Sequence, residues 1–339
     1  MAEIQTIPDA KGSATPRIVG QRDRYFTELF EIFKADKNCV MITADNGAPT
    51  LDQFAEQLPK QFIQVGIAEQ QMFGMAAGLA VEGKKVFCYA IAPFVTTRVH
   101  EFIKLDVCAM DLPIVLLGVG AGYAYDVMGP SHHTVEDISI MRALPNLVIW
   151  SPCDGPTAAA LARRSYELSS PQYIRFDRAG VADVYDEAPN LVRGFQVVGG
   201  NVDGDSRSDV DILATSAMVD NACKVAALLG DKVRVRVVDV FRLKPILSAE
   251  LLAHLQDADH VVTLEEHFLN GGLGSIVAEI FADNHVKTPL YRMGIPDEFV
   301  FDYGGRENIW KRFGLDTESV SSAIRTYCGS SSRVTPCLR

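Results

Sequence analysis

Between Arg22 and Ala35 the apolar residues Tyr25, Phe26, Leu29, Phe30 and Phe33 recur at helical spacing, which predicts an amphipathic helix with one apolar face. The period then changes. Cys39-Val40-Met41-Ile42-Thr43 is an apolar run of strand length, and it ends at the polar loop Ala44-Asp45-Asn46-Gly47. Further strands are predicted at 61–66, 86–91, 114–119, 146–150 and 172–176. Helices separate them, one beginning at Glu69, one over 97–110, one beginning at Thr134 and one over 156–168. Thr134 is the expected N-cap of its helix, with Glu136 and Asp137 in the first turn. Alternation of this kind implies an α/β, doubly wound domain, a mostly parallel sheet with helices on both faces.

Residues 180–209 are rich in Asp, Gly and Pro, with one short strand expected at 195–198. The rhythm then restarts, with strands expected at 210–215, 233–240, 260–265 and 288–292. Helices are expected at 217–229, 248–256, 272–283 and 306–327. The pattern therefore divides the chain into a flexible arm (1–20), a first α/β domain (21–180), a linker (181–194), a smaller second α/β domain (195–327) and a flexible tail (328–339).

Composition narrows the functional classes. A length of 339 residues suits two domains, and 48% hydrophobic with 22% charged residues is enough to build large cores. The formal net charge of −11 argues against a nucleic-acid partner, which would need clustered Lys and Arg. No apolar run is long enough to span a membrane, and the N-terminus carries no charged-then-apolar signal pattern. The seven cysteines are scattered and odd in number, which reads as reduced thiols of a cytoplasmic protein.

Chemistry concentrates first at Gln64-Val65-Gly66-Ile67-Ala68-Glu69-Gln70-Gln71. An apolar strand end passes through a glycine into a helix whose first turn holds one acid, Glu69, where the helix dipole favours a carboxylate. Ile67, Ala68, Met72 and Phe73 predict an apolar setting for it. The wording Val-Gly-Ile-Ala-Glu-Gln, followed by Gly-Met-Ala-Ala-Gly-Leu-Ala, resembles the pyrimidine-binding domain of the transketolase and deoxyxylulose phosphate synthase family. The resemblance extends through Val238–Pro245 and Val262–Ser275, and covers roughly residues 22–325. It implies that Glu69 hydrogen-bonds N1′ of the aminopyrimidine of thiamine diphosphate and favours its imino tautomer, and that burial raises the Glu69 pKa so that the carboxyl holds a proton. Phe94 stands where the family stacks a ring on the aminopyrimidine, although a core Phe beside a strand end would look the same. Asp45 and Gln70 complete the expected cofactor contacts; for Asp45 a loop or capping role competes.

Met128-Gly-Pro-Ser-His-His-Thr-Val-Glu-Asp137 is similar to the family's Asp-Gly-Pro-Thr-His-Gln-Pro-Val-Glu pattern. His132 then falls at the catalytic position, suited to moving substrate protons near neutral pH. His133 replaces the Gln, a second substrate-side candidate of open role, and Met128 replaces an acid. The histidine that transketolases carry ahead of this loop has no counterpart in Val119–Tyr125, where Tyr123 and Tyr125 could supply hydroxyls instead. Arg98 and Arg178 match arginines of the deoxyxylulose phosphate synthase branch and would bind an anionic, phosphorylated substrate; ion pairs with Asp106 or Asp177 are the alternative. The Gly-Asp-Gly and Asn pair that hold Mg²⁺ and the diphosphate in this family do not occur.

The resemblance therefore implies the C-terminal subunit of a split transketolase. Thiamine diphosphate and Mg²⁺ would be shared with a partner N-terminal subunit in an α₂β₂ assembly, and a two-carbon ketol unit would pass from a ketose to an aldehyde. Two alternatives remain: decarboxylation of a 2-oxo acid with acyl transfer to an aldehyde, and a non-catalytic scaffold that has kept the fold.

Overall fold

Odd and even residues of the first strands divide between two cores. Cys39, Met41, Phe87, Tyr89, Val115, Leu117, Ile174 and Phe176 pack on one face of a sheet. Val40, Ile42, Val86, Cys88, Ile114, Leu116 and Tyr173 pack on the other. This is the period of two that a strand buried on both sides requires. In this computed structural model residues 20–178, 180–202, 207–301 and 304–329 are described. The expected arm up to residue 19 and the tail from 330 lie outside those residues.

The strands that build the first sheet are β1 (Cys39–Thr43), β2 (Phe62–Gln64), β3 (Lys85–Ile91), β4 (Ile114–Val119), β5 (Val148–Trp150) and β6 (Gln172–Phe176). The second half contributes β7 (Gln196–Gly200), β8 (Ser208–Ala214), β9 (Val235–Asp239), β10 (Arg242–Lys244), β11 (Ala258–Phe268) and β12 (Leu290–Ile295). The seven-stranded sheet runs β10-β5-β6-β4-β3-β1-β2 and the five-stranded sheet β12-β11-β8-β9-β7. Pairing is parallel except for β10 on β5 and β7 on β9. The fold is thus mostly parallel α/β with two sheets. From β1 the chain steps to β2 on one side and then to β3 on the other, so the strand order reverses at β1/β3, where crevices open at strand carboxyl ends.

Several expectations need correction. The helix expected over 97–110 is three pieces: a tight turn at Thr97–Val99, one helical turn at His100–Phe102 and a widened turn at Ile103–Cys108. Thr134 is not an N-cap. Its backbone pairs with Gly122, and the helix begins at Asp137. The helix Pro49–Gln57 and the strand β10 were not expected; β10 comes from the second half of the chain yet pairs with β5 of the first sheet. The last helical region is two helices, Arg306–Phe313 and Thr317–Gly329, divided at the left-handed Gly314. Its second helix runs past residue 327 into the expected tail.

Candidate active site

The expected site residues follow the carboxyl ends of the first sheet's strands. Asp45 follows β1, Glu69 and Gln70 follow β2, Phe94 and Arg98 follow β3, the histidine loop follows β4, and Arg178 follows β6. Glu69 is the first residue of the helix Glu69–Val81, and its side chain is 3% exposed. Its setting is an ion pair: Arg98 Nη1 donates to Oε2 at 2.9 Å. Met72 and Phe73 are buried as expected, but Ile67 is 77% exposed.

From Glu69 the contacts run on without a break. The Arg98 guanidinium lies 4.1 Å from the centroid of the Phe94 ring, a cation–π contact. Phe94 meets the His132 ring edge-on at 5.3 Å, and His132 lies 6.0 Å from Tyr125. Arg178 covers the other part of Tyr125, with its guanidinium 4.7 Å from the ring centroid. Tyr125 folds back over Gly120, whose φ is +101° and where a Cβ would stand 2.2 Å from the ring. Glu69, Arg98, Phe94, His132, Tyr125 and Arg178 therefore form one continuous surface.

The two histidines differ. His132 is half-buried with Nδ1 3.0 Å from Ser131 Oγ, which leaves Nε2 free. Desolvation, then His133 and Arg98, lower its pKa below the usual imidazole value, so the ring is neutral at pH 7 and able to take a proton. His133 is buried, with Nε2 3.1 Å from the Asp126 carbonyl and its ring edge-on to Tyr123 at 4.8 Å. It braces the loop from behind. Tyr123 is equally buried, which leaves Tyr125 as the tyrosine able to meet a substrate.

The alternative partners considered for the arginines are both replaced. Arg98 pairs with Glu69, not Asp106, and Asp177 pairs with Arg306. Asp45 and Gln70 are exposed, and Asp45 sits at φ 52° with its N–H donated to Gln64 Oε1 at 2.9 Å. Among the described residues neither contacts the Glu69-to-Arg178 surface. One member escaped notice in the sequence. Arg22 donates to the Tyr89 hydroxyl at 3.4 Å and is clipped by Asp23, which also accepts from Thr50. Burial raises the Tyr125 phenol pKa, and Arg178 and Arg22 oppose that rise, so both cations act on it. Arg22 stands in line with the apolar face of its helix, three, four and seven residues before Tyr25, Phe26 and Leu29, where a charged residue breaks the stripe.

Residues 22–182 match the pyrimidine binding domain of transketolase, and residues 200–320 its C-terminal domain. An apulose-4-phosphate transketolase subunit of Phocaeicola vulgatus is 35% identical over 309 residues, covering 89% of this chain and 96% of that protein. The chain belongs to the transketolase family. A solved split-gene transketolase, described as an inactive β4 tetramer, superposes with a TM-score of 0.82 at 31% identity, over 93% of this chain and all of that one. Among single-chain relatives, the 1-deoxy-D-xylulose-5-phosphate synthase of Caldanaerobacter subterraneus is 33% identical over 94% of this chain but only 52% of its own length. This transketolase-family chain thus aligns with nearly the whole of split-gene subunits and with about half of that synthase.

Proposed function

We propose that the protein is the C-terminal subunit of a split transketolase, transferring a two-carbon ketol unit from a phosphorylated or otherwise anionic ketose to an aldehyde. The observation that carries this reading is the unbroken surface from Glu69 to Arg178 beyond the carboxyl ends of β2, β3, β4 and β6, in a family whose members use thiamine diphosphate. In this reading residues 21–180 carry the site, 181–194 link, and 195–327 form the C-terminal domain. The six described cysteines are free, which suits a cytoplasmic setting, and no described helix is long and apolar enough to cross a membrane.

The residues present fit half of a thiamine diphosphate site. A buried carboxyl at a helix start is joined through Arg98 to an aromatic ring and a neutral imidazole, a set that suits an aminopyrimidine and its reacting edge. When bound, the cofactor supplies the carbon nucleophile that stabilises the carbanion left by carbon–carbon cleavage. Glu69 would hydrogen-bond the aminopyrimidine N1′. Phe94 would flank the ring, and Asp45 and Gln70, exposed and off that surface, are assigned as outer cofactor contacts. His132 Nε2 would take and return the substrate hydroxyl proton. Arg98, with one edge on Glu69 and one face on Phe94, has further N–H groups for an anionic substrate, as does Arg178. His133 serves the site by bracing its loop. Among the described residues no cluster of three or more His, Cys, Asp or Glu could hold a metal ion. Mg²⁺ and the diphosphate are assigned to the partner N-terminal subunit, in an α₂β₂ assembly.

Calorimetry of thiamine diphosphate and Mg²⁺ tests this, first with the chain alone and then with its partner. Tight binding only in the complex is expected, and tight binding by the isolated chain would overturn the shared site. The likeness to the synthase and its arginines favour one rival, 2-oxo acid decarboxylation. Release of CO₂ from a 2-oxo acid donor would decide for it.

A further inference from the structure

Arg306 opens the helix Arg306–Phe313 in the second half of the chain, yet all its anchors bear on the site. Its Nε and Nη2 grip Glu266 at 2.9 and 2.6 Å, and Nη2 also reaches Asp177 Oδ2 at 2.7 Å. Its backbone N–H, one of the free donors at a helix start, is taken by Asp126 Oδ2 at 2.9 Å. Asp126 follows Tyr125 and Asp177 precedes Arg178, so Arg306 ties together the backbones behind the Tyr125–Arg178 stack. Glu266 presses against the same loop, where a Cβ on Gly122 would stand 1.9 Å from its Oε2. Asp126 also holds His133 through its carbonyl.

We propose that Arg306 is a positioning residue for the substrate's anionic end: by joining Asp126 to Asp177 it fixes Tyr125 against Arg178 and keeps the Arg178 guanidinium turned outward. The physical reason is competition. Asp177 and Glu266 are buried and both pair with Arg306, so its removal takes away a positive charge that balances them. The nearest cation in sequence is Arg178. Drawn toward them, it leaves the tyrosine face and the substrate.

This rests on Arg178 being an anion contact, so the test separates the two claims. In the assembled enzyme, Arg306→Met is expected to raise KM for a phosphorylated acceptor about tenfold, the scale of one lost charged contact, with kcat changed less than about threefold. KM for a short uncharged hydroxyaldehyde and the thiamine diphosphate Kd should stay within about twofold. Arg306→Lys should recover most of the loss. Arg178→Met should raise KM similarly, and the double variant no further, because both act on one contact. Additive effects, or a phosphorylated-acceptor KM untouched in Arg306→Met but raised in Arg178→Met, overturn the positioning role. An unchanged KM in Arg178→Met instead overturns the site reading beneath it. If Arg306→Met does not fold, the same cycle with Arg306→Gln decides.

Discussion

Asp239 ends β9 with no exposure to solvent. Desolvation raises its pKa from 3.8 to about 8, with a further push from Asp154, and hydrogen bonds from Cys153 and Tyr185 only partly offset this. The Tyr185 hydroxyl donates to Oδ2 at 3.1 Å. Between these two pKa values the folded chain keeps a proton that the unfolded chain has lost, so stability falls as pH rises. The limiting slope is about 1.4 kcal/mol per pH unit, and from pH 5 to pH 8 the loss comes to about 4 kcal/mol. Asp239→Asn keeps the shape and cannot titrate. Relative to the wild type its stability should gain about 4 kcal/mol between pH 5 and pH 8. In a domain of this size that is a melting-temperature difference on the order of 10 °C. The difference between two scanning-calorimetry series cancels other titrating groups, such as Glu265, whose carboxyl is also raised by burial, to about 7. A difference in Tm that stays flat from pH 5 to pH 8 would refute the buried-acid argument.

Three further outcomes follow from the site and its supports. Glu69→Gln, mixed with the partner subunit, should cut ketol transfer at least about 100-fold; near wild-type turnover would remove Glu69 from the mechanism. Because His132 must be neutral to accept a proton and its pKa is lowered, kcat/KM should fall only on the acid side, below the ordinary imidazole value. His132→Asn should lose that limb and about 10²–10³ in kcat/KM, and a limb that survived would belong to another group. Arg175 and Asp137 form an ion pair with side chains 2% and 1% exposed, and Asp137 also accepts from Tyr173 at 2.7 Å. Arg175→Met leaves that carboxylate uncompensated and should cost about 3–5 kcal/mol, read by urea unfolding. A loss below about 1 kcal/mol would show that the pocket admits water.

Local periodicity determined much of this molecule. β1 and β4 occur at the residues where apolar runs of strand length placed them, because a strand buried on both faces is mostly apolar. The alternation of strand and helix was enough for the α/β class, and short motifs with particular glycines and acids were enough for the family. Helix Pro49–Gln57 was missed because only Leu51 and Phe54 of it are buried, too thin a stripe to show a period. What the tertiary structure alone decided was which charges meet. Arg98 turns to Glu69 rather than to Asp106, Asp177 is claimed by Arg306 from the far end of the chain, and β10 crosses to the first sheet. Which of two adjacent histidines faces the site was settled by packing, since Tyr123 and the Asp126 carbonyl hold His133 inward. Periodicity arises from backbone geometry repeating every few residues, so it is written in the sequence. Ion pairs between distant segments depend on which strand ends the topology brings together, and that order is set only when the sheet has closed its cores.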